Sequence, residues 1–137
     1  MSKKFCFDEP LSPWEELINL LDYNGIQYER EANEIRFVLA EGACKWQSIC
    51  RWAENTVIIY SIYPFSLTDK IKAKEAVNEI NSRMTRGCAF VRENAVIMRQ
   101  DADLFDAYSA YEAIARAIEY NAGAVVAFWS LLAAEVN

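Results

Sequence analysis

Val77–Asp103, VNEINSRMTRGCAFVRENAVIMRQDAD, runs from the end of a helix straight into a two-stranded hairpin. Val77, Ile80 and Met84 recur at helical spacing and set one apolar face, and Gly87 stands where a left-handed residue would stop that helix. Apolar alternation begins at once, with Cys88 to Arg92, a turn at Glu93-Asn94, and Ala95 to Gln100. A helix feeding an antiparallel hairpin through a short link points to an α+β domain. No catalytic motif lies within the stretch.

Towards the N-terminus, Thr56 to Tyr63 reads TVIIYSIY, a strand apolar at nearly every position, and such a strand is expected to be covered on both faces. Pro64 ends it, and Ser66 to Asp69 supplies caps for the helix that continues to about Thr85. Before it, Cys44 to Trp52 alternates Cys44, Trp46, Ser48, Cys50 and Trp52 with Lys45, Gln47, Ile49 and Arg51, which gives one polar face. Glu41-Gly42 and Ala53-Glu54-Asn55 are its bounding turns. Ile35, Phe37 and Leu39 mark a further strand, preceded by a short one from Ile26 to Glu31. Ser12-Pro13-Trp14-Glu15 is a capping-box pattern with proline at the first helical position, and Trp14, Leu17, Ile18 and Leu21 follow on one face up to Asn24-Gly25.

Towards the C-terminus, Asp101-Ala102-Asp103 leads into a last helix. Its apolar stripe is Tyr111, Ile114, Ala115, Ile118, Ala122, Val125, Trp129 and Leu132. Drawn straight from Asp106 to Asn137 it would be roughly 48 Å long at about 1.5 Å per residue, longer than a domain of this size is wide. A bend around Asn121-Ala122-Gly123 is therefore expected, with projection onto a partner as the alternative. The order is α-β-β-β-β-α-β-β-α, a twisted antiparallel sheet flanked by helices. Residues 12–137 are expected to form one domain, behind an expected flexible segment over residues 1–11.

Composition narrows the function. The chain has 137 residues, 53% of them hydrophobic, enough for a single substantial core. Fourteen basic against twenty acidic side chains leave a net charge of −6, the wrong sign for a phosphate-binding surface, so nucleic acid is not an expected partner. Lys70, Lys72 and Lys74 lie beside Glu75 and Glu79 and read as a solvated helix face. The opening MSKKFCFDEPLSP lacks the apolar core of about 7–15 residues that a secretory signal needs, which predicts a cytoplasmic protein. Ala122 to Ala134 is apolar but too short to span a bilayer, so no membrane insertion is expected.

The chain has no histidine, which removes Ser-His and Cys-His nucleophiles and the commonest metal ligand. Cys6, Cys44, Cys50 and Cys88 contain no C-x-x-C pair and read as small buried hydrophobes. Asp101, Asp103 and Asp106 lack the glycine and closing glutamate of a calcium loop and read as a solvated turn with a helix cap. Glu29, Glu31, Glu34 and Glu41 show nothing to set them apart as a catalytic carboxylate pair. The four glycines stand singly, without a phosphate loop. No catalytic residue, cofactor or metal site is expected, and the chain does not read as an enzyme.

Aromatic residues give the better lead. Trp46 and Trp52 on one strand and Tyr60 on the next are candidates for a sheet face that receives a segment of another chain, while Val125 and Trp129 are candidates for contact through the last helix. Packing beneath the helices is the plainer reading of each. The doubly apolar strand favours a second buried face, such as a homodimer interface.

The element order, the N-E-I-N-S-R segment from Asn78 to Arg83 before the hairpin CAFVRENAVIMRQD, the opening Leu17 to Glu29, the Tyr63-Pro64 strand end and the long closing helix together resemble the YbjN family of bacterial proteins. The resemblance covers Ser12 to the C-terminus. It implies a fold like that of the type III secretion chaperones and a small acidic homodimer. It also implies a chaperone or sensory-transduction regulator that binds a protein or peptide client. Asn78 and Asn81 are the polar positions that match, and asparagines on a helix beside a sheet can satisfy loose backbone groups at a strand end.

Overall fold

The computed structural model describes residues 12–104 and 109–136. The segment 1–11, with Cys6, and Asp106 lie outside the described residues. Helix α1 (Pro13–Tyr23) starts as its sequence demands. Ser12 Oγ accepts from the Glu15 backbone N–H at 3.2 Å, and Glu15 accepts from the Ser12 N–H at 2.9 Å. That reciprocal bond holds the Glu15 carboxyl below its ordinary pKa. Ser12→Ala is expected to cost about 1 kcal/mol, read from urea unfolding midpoints.

Four antiparallel strands meander next: β1 (Tyr28–Glu31), β2 (Glu34–Glu41), β3 (Cys44–Ala53) and β4 (Thr56–Ile62). Helix α2 (Lys70–Arg83) follows, capped by Asp69, whose carboxylate accepts from the Ile71 and Lys72 N–H groups. Then come β5 (Cys88–Arg92), β6 (Ala95–Asp103), α3 (Ala110–Ala127) and α4 (Trp129–Val136). The six strands form one open antiparallel sheet in the order β1-β2-β3-β4-β6-β5. The hairpin β5–β6 inserts its second strand beside β4.

Four expectations shift. Asp101-Ala102-Asp103 is strand rather than lead-in, because β6 extends to pair Ile58 with Asp101 and Thr56 with Asp103. Helix α2 ends at Arg83 with Met84 in extended backbone, so Gly87 does not stop it. Gly87 instead takes φ +75 in the link to β5, pressed against the Arg99 carbonyl of β6. The last helix breaks at Phe128, not at Asn121-Ala122-Gly123, which stay helical. The break turns α4 back onto α2, where Leu132 is buried and Trp129 meets Tyr63 and Phe65, with ring centroids at 5.6 and 5.0 Å. Finally, among the described residues β4 is helix-covered on one face only.

Among the described residues, every helix that packs on the sheet does so on the same side. Strand alternation and register place Ile35, Phe37, Trp46, Cys50, Val57, Ile59, Met98 and Ala102 on that inner face. Helix α1 and the first half of α3 cover a cluster that runs from Ile35 and Phe37 to Val57 and Ala102; α2, α4 and the second half of α3 cover a second that runs from Trp46 and Tyr63 to Ala89 and Met98. Between the two apolar clusters lies a buried polar chain. Ser48 and Ser61 hydroxyls meet at 2.8 Å, Ser61 donates to Asn121 Oδ1, and Asn121 Nδ2 donates to the Met98 carbonyl at 3.1 Å. It ties α3 to the middle of the sheet.

Candidate functional site

The opposite, outer face of the sheet is the candidate site. Cross-strand pairing places Ile49, Tyr60 and Arg99 in one row, and Val38, Gln47, Ile62, Ile97 and Phe90 in the next. Ile58 stands beyond them, between Arg51 and Asp101. None of the apolar members belongs to either helix-covered cluster. Val38 is 50% exposed, and Ile49, Ile58, Tyr60, Ile62 and Phe90 are half-buried by their own neighbours. Among the described residues no helix lies across this face.

Fixed charge surrounds the apolar strip. Arg99 Nε meets Asp101 Oδ1 at 3.0 Å, and its guanidinium stands 5.8 Å from the Tyr60 ring centroid. Arg36 meets Glu34 at 3.0 Å. The hydrogen bonds to Asp101 and Glu34 raise the pKa of each guanidinium, so both stay charged. Exposed pairs of this kind contribute little stability, about 0–1 kcal/mol, but they orient a polar rim around an apolar centre. The edge strand β1, YERE, exposes its Glu29, Arg30 and Glu31 positions, which discourages strand addition there.

The sequence candidates separate. Trp46 is 3% exposed and faces inward, 6.3 Å from Trp129 between ring centroids. Trp52 is half-buried, its ring tilted against that of Trp14 with centroids 6.0 Å apart, and its indole donates to the Glu54 carbonyl. Val125 is buried and Trp129 half-buried in the α2–α4 cluster. Tyr60 alone of the five points outward, because the Cys50–Ile59 and Ile49–Tyr60 register puts it on the opposite face from both tryptophans. Ile49, Ile62, Phe90 and Ile97 were not singled out by sequence reasoning. Ile49 had a signal, an apolar residue on the β3 face that otherwise carries Lys45, Gln47 and Arg51.

Asn81 does satisfy a strand end: its side chain donates to the Ala89 carbonyl at 3.0 Å and accepts from the Ala89 N–H at 2.8 Å. Asn78 is exposed. Among the described residues no three His, Cys, Asp or Glu side chains converge to hold a metal ion, and no helix is long and apolar enough to cross a membrane.

Burial pushes the Cys50 thiol up to about 12, whereas Cys88 is exposed on β5. A thiol reagent at neutral pH is expected to label Cys88 on the order of 100-fold faster than Cys50, as read by peptide mapping, with Cys50 reacting only after denaturant. The Cys50 contribution to stability is fully present below the ordinary thiol value of 9.0; as pH rises towards about 12 the unfolded chain ionises first and that stability is lost.

No protein-family model matches the sequence, and no curated protein matches it. A solved structure does match: the crystal structure of YbjN from E. coli, described as a candidate transcription regulator, superposes with a TM-score of 0.61. The fold is YbjN-like. The match covers 82% of this chain and 84% of that one at 13% sequence identity. At that identity the YbjN-like resemblance concerns architecture alone.

Proposed function

We propose that this chain is a non-catalytic protein- or peptide-binding domain with a regulatory, chaperone-like role, acting as a homodimer, and that the outer sheet face holds the partner segment. The observation that carries the reading is the half-buried apolar strip of Ile49, Tyr60, Ile62 and Phe90 beside paired arginines and carboxylates, with no described element upon it. An apolar centre with a charged margin is the composition of a protein interface. The description of the YbjN neighbour as a candidate transcription regulator fits a regulatory role. A net charge of −6 favours regulation through protein contacts over direct DNA binding.

Docking of the last helix into a larger assembly is the second reading. It has less support, because Val125 and Leu132 are spent on the chain's own core and Trp129 packs on Tyr63 and Phe65.

The test compares affinity capture of the tagged protein with that of a Tyr60→Ser, Ile62→Ser, Phe90→Ser variant, with the mass of each complex taken by light scattering. The variant is expected to lose a stoichiometric companion that the parent retains, while keeping the parent's helical circular dichroism. Equal recovery of the companion by both forms would place binding elsewhere.

A further inference from the structure

Strand β6 outruns its neighbour. Its pairing with β5 ends at Cys88 and Arg99, while β4 accompanies it to Asp103, so among the described residues no strand flanks residues 100–103 on the β5 side. The link between α2 and β5 at Arg86 and one face of α3 wall that space, which forms a cleft of about 670 Å³. Tyr120 ties the two walls together: its hydroxyl meets Thr85 Oγ1 at 2.9 Å and accepts from the Arg86 backbone N–H at 3.3 Å. The Thr85 bond above all, helped by the Arg86 N–H and guanidinium, holds the phenol below its ordinary pKa, which puts the Arg86 charge beside the cleft.

Arg86, Arg116, Asp101, Asp103 and Glu112 are the charged residues of the lining. Asp101 is taken by Arg99, and Asp103 has a partner of its own. Among the described residues Arg86, Arg116 and Glu112 form no ion pair. Glu112 and Arg116 stand four apart on α3 in the orientation that favours pairing, and Glu79 and Arg83 at the same spacing on α2 do meet, at 2.7 Å. Two cations and one anion are thus left unneutralised around a single cleft.

We propose that this cleft binds a free acidic amino acid, whose two carboxylates meet Arg86 and Arg116 and whose ammonium meets Glu112. The unneutralised charges, two positive and one negative, are the complement of two carboxylates and one ammonium. Guanidinium suits the first role because its planar fork takes a carboxylate bidentately. The N-terminus of α3 at Ser109, also in the lining, adds partial positive charge. A neutral amino acid leaves one arginine unmatched, and a dicarboxylate without nitrogen sets like charge against Glu112. The volume falls within about 300–1,000 Å³, the range of small-ligand sites. None of Ile49, Tyr60, Ile62 and Phe90 lines the cleft, so the proposal stands whether or not the outer face binds a partner.

The test titrates the full chain by calorimetry with L-glutamate, L-aspartate, L-glutamine and glutarate in turn, at low ionic strength, where an open charged site is least screened. Saturable binding of glutamate or aspartate is expected, at least tenfold tighter than that of glutamine or glutarate. Arg116→Gln is expected to weaken it at least tenfold. Glu112→Gln is expected to weaken it too, yet to leave glutarate binding unchanged or tighter. Both positions are exposed, so each variant is expected to keep the parent's melting temperature; Arg86→Lys, which keeps the charge and loses the fork, serves if Arg116→Gln disturbs the melt. No saturable binding of either acidic amino acid up to about 10 mM overturns the proposal, as does glutarate binding as tightly as they do, or an Arg116→Gln variant that binds like the parent.

Discussion

Asn121→Ala lowers the unfolding free energy by about 2–4 kcal/mol, a large share of the 5–15 kcal/mol typical of a domain. Asn121 is 2% exposed on α3 and joins Ser61 of β4 to the Met98 carbonyl of β6. Ser61 in turn meets Ser48 of β3, and both serines are fully buried. Removing the amide strips the Ser61 hydroxyl of its acceptor and opens a gap between the two apolar clusters, so desolvation and cavity costs add. The triple variant Ser48→Ala, Ser61→Ala, Asn121→Leu is expected to recover most of the loss, because it removes the linked hydroxyls and the amide together. Urea unfolding of the single and triple variants measures both effects. A triple variant no more stable than Asn121→Ala would contradict this, because Leu refills the gap and no orphaned hydroxyl is left to carry the cost.

Gly87→Ala costs about 3 kcal/mol or more, from two sources that a comparison separates. The residue sits at φ +75, where a side chain is strained, and an added Cβ would lie 2.4 Å from the Arg99 carbonyl oxygen and 2.7 Å from Gln100 Oε1. The first contact is backbone of β6 and can give way only by distorting the β4–β6–β5 pairing. Gly42 has a similar φ of +60 with nothing within 4 Å of its would-be Cβ. Gly42→Ala therefore isolates the conformational term, about 1 kcal/mol. A smaller loss at Gly87 than at Gly42 would refute the close-approach argument.

Local rules carried most of the fold. The Ser12–Glu15 capping box, the alternation in three of the long strands and the turn at Glu93-Asn94 each specified their element, and together they set the α+β order. Tyr60 was placed with the tryptophans although its parity was computable. The two-residue turn at Glu54-Asn55 pairs Trp52 with Val57, which sends every even residue of β4 to the face opposite Trp52. The break at Phe128 was not legible, because it follows from the Trp129 ring seating on Tyr63 and Phe65, contacts more than 60 positions apart. Asn121 had a signal, a polar residue on the apolar stripe of Ile114 and Val125, but its partners Ser48 and Ser61 come together only when the sheet forms. The outer face was the least legible part, since its apolar residues come from five strands and none is conspicuous alone.

The outer face is also where the functional account is most exposed to test. A photo-reactive benzoylphenylalanine placed at Tyr60 samples that face, and the same group at Ile71, 73% exposed on α2, samples the helical side. Irradiated in the cells that make the protein, the Tyr60 position is predicted to give a discrete cross-linked species to a protein segment, and the Ile71 position none. Cross-linking from Ile71 without any from Tyr60 would contradict the assignment of the outer sheet face as the binding surface.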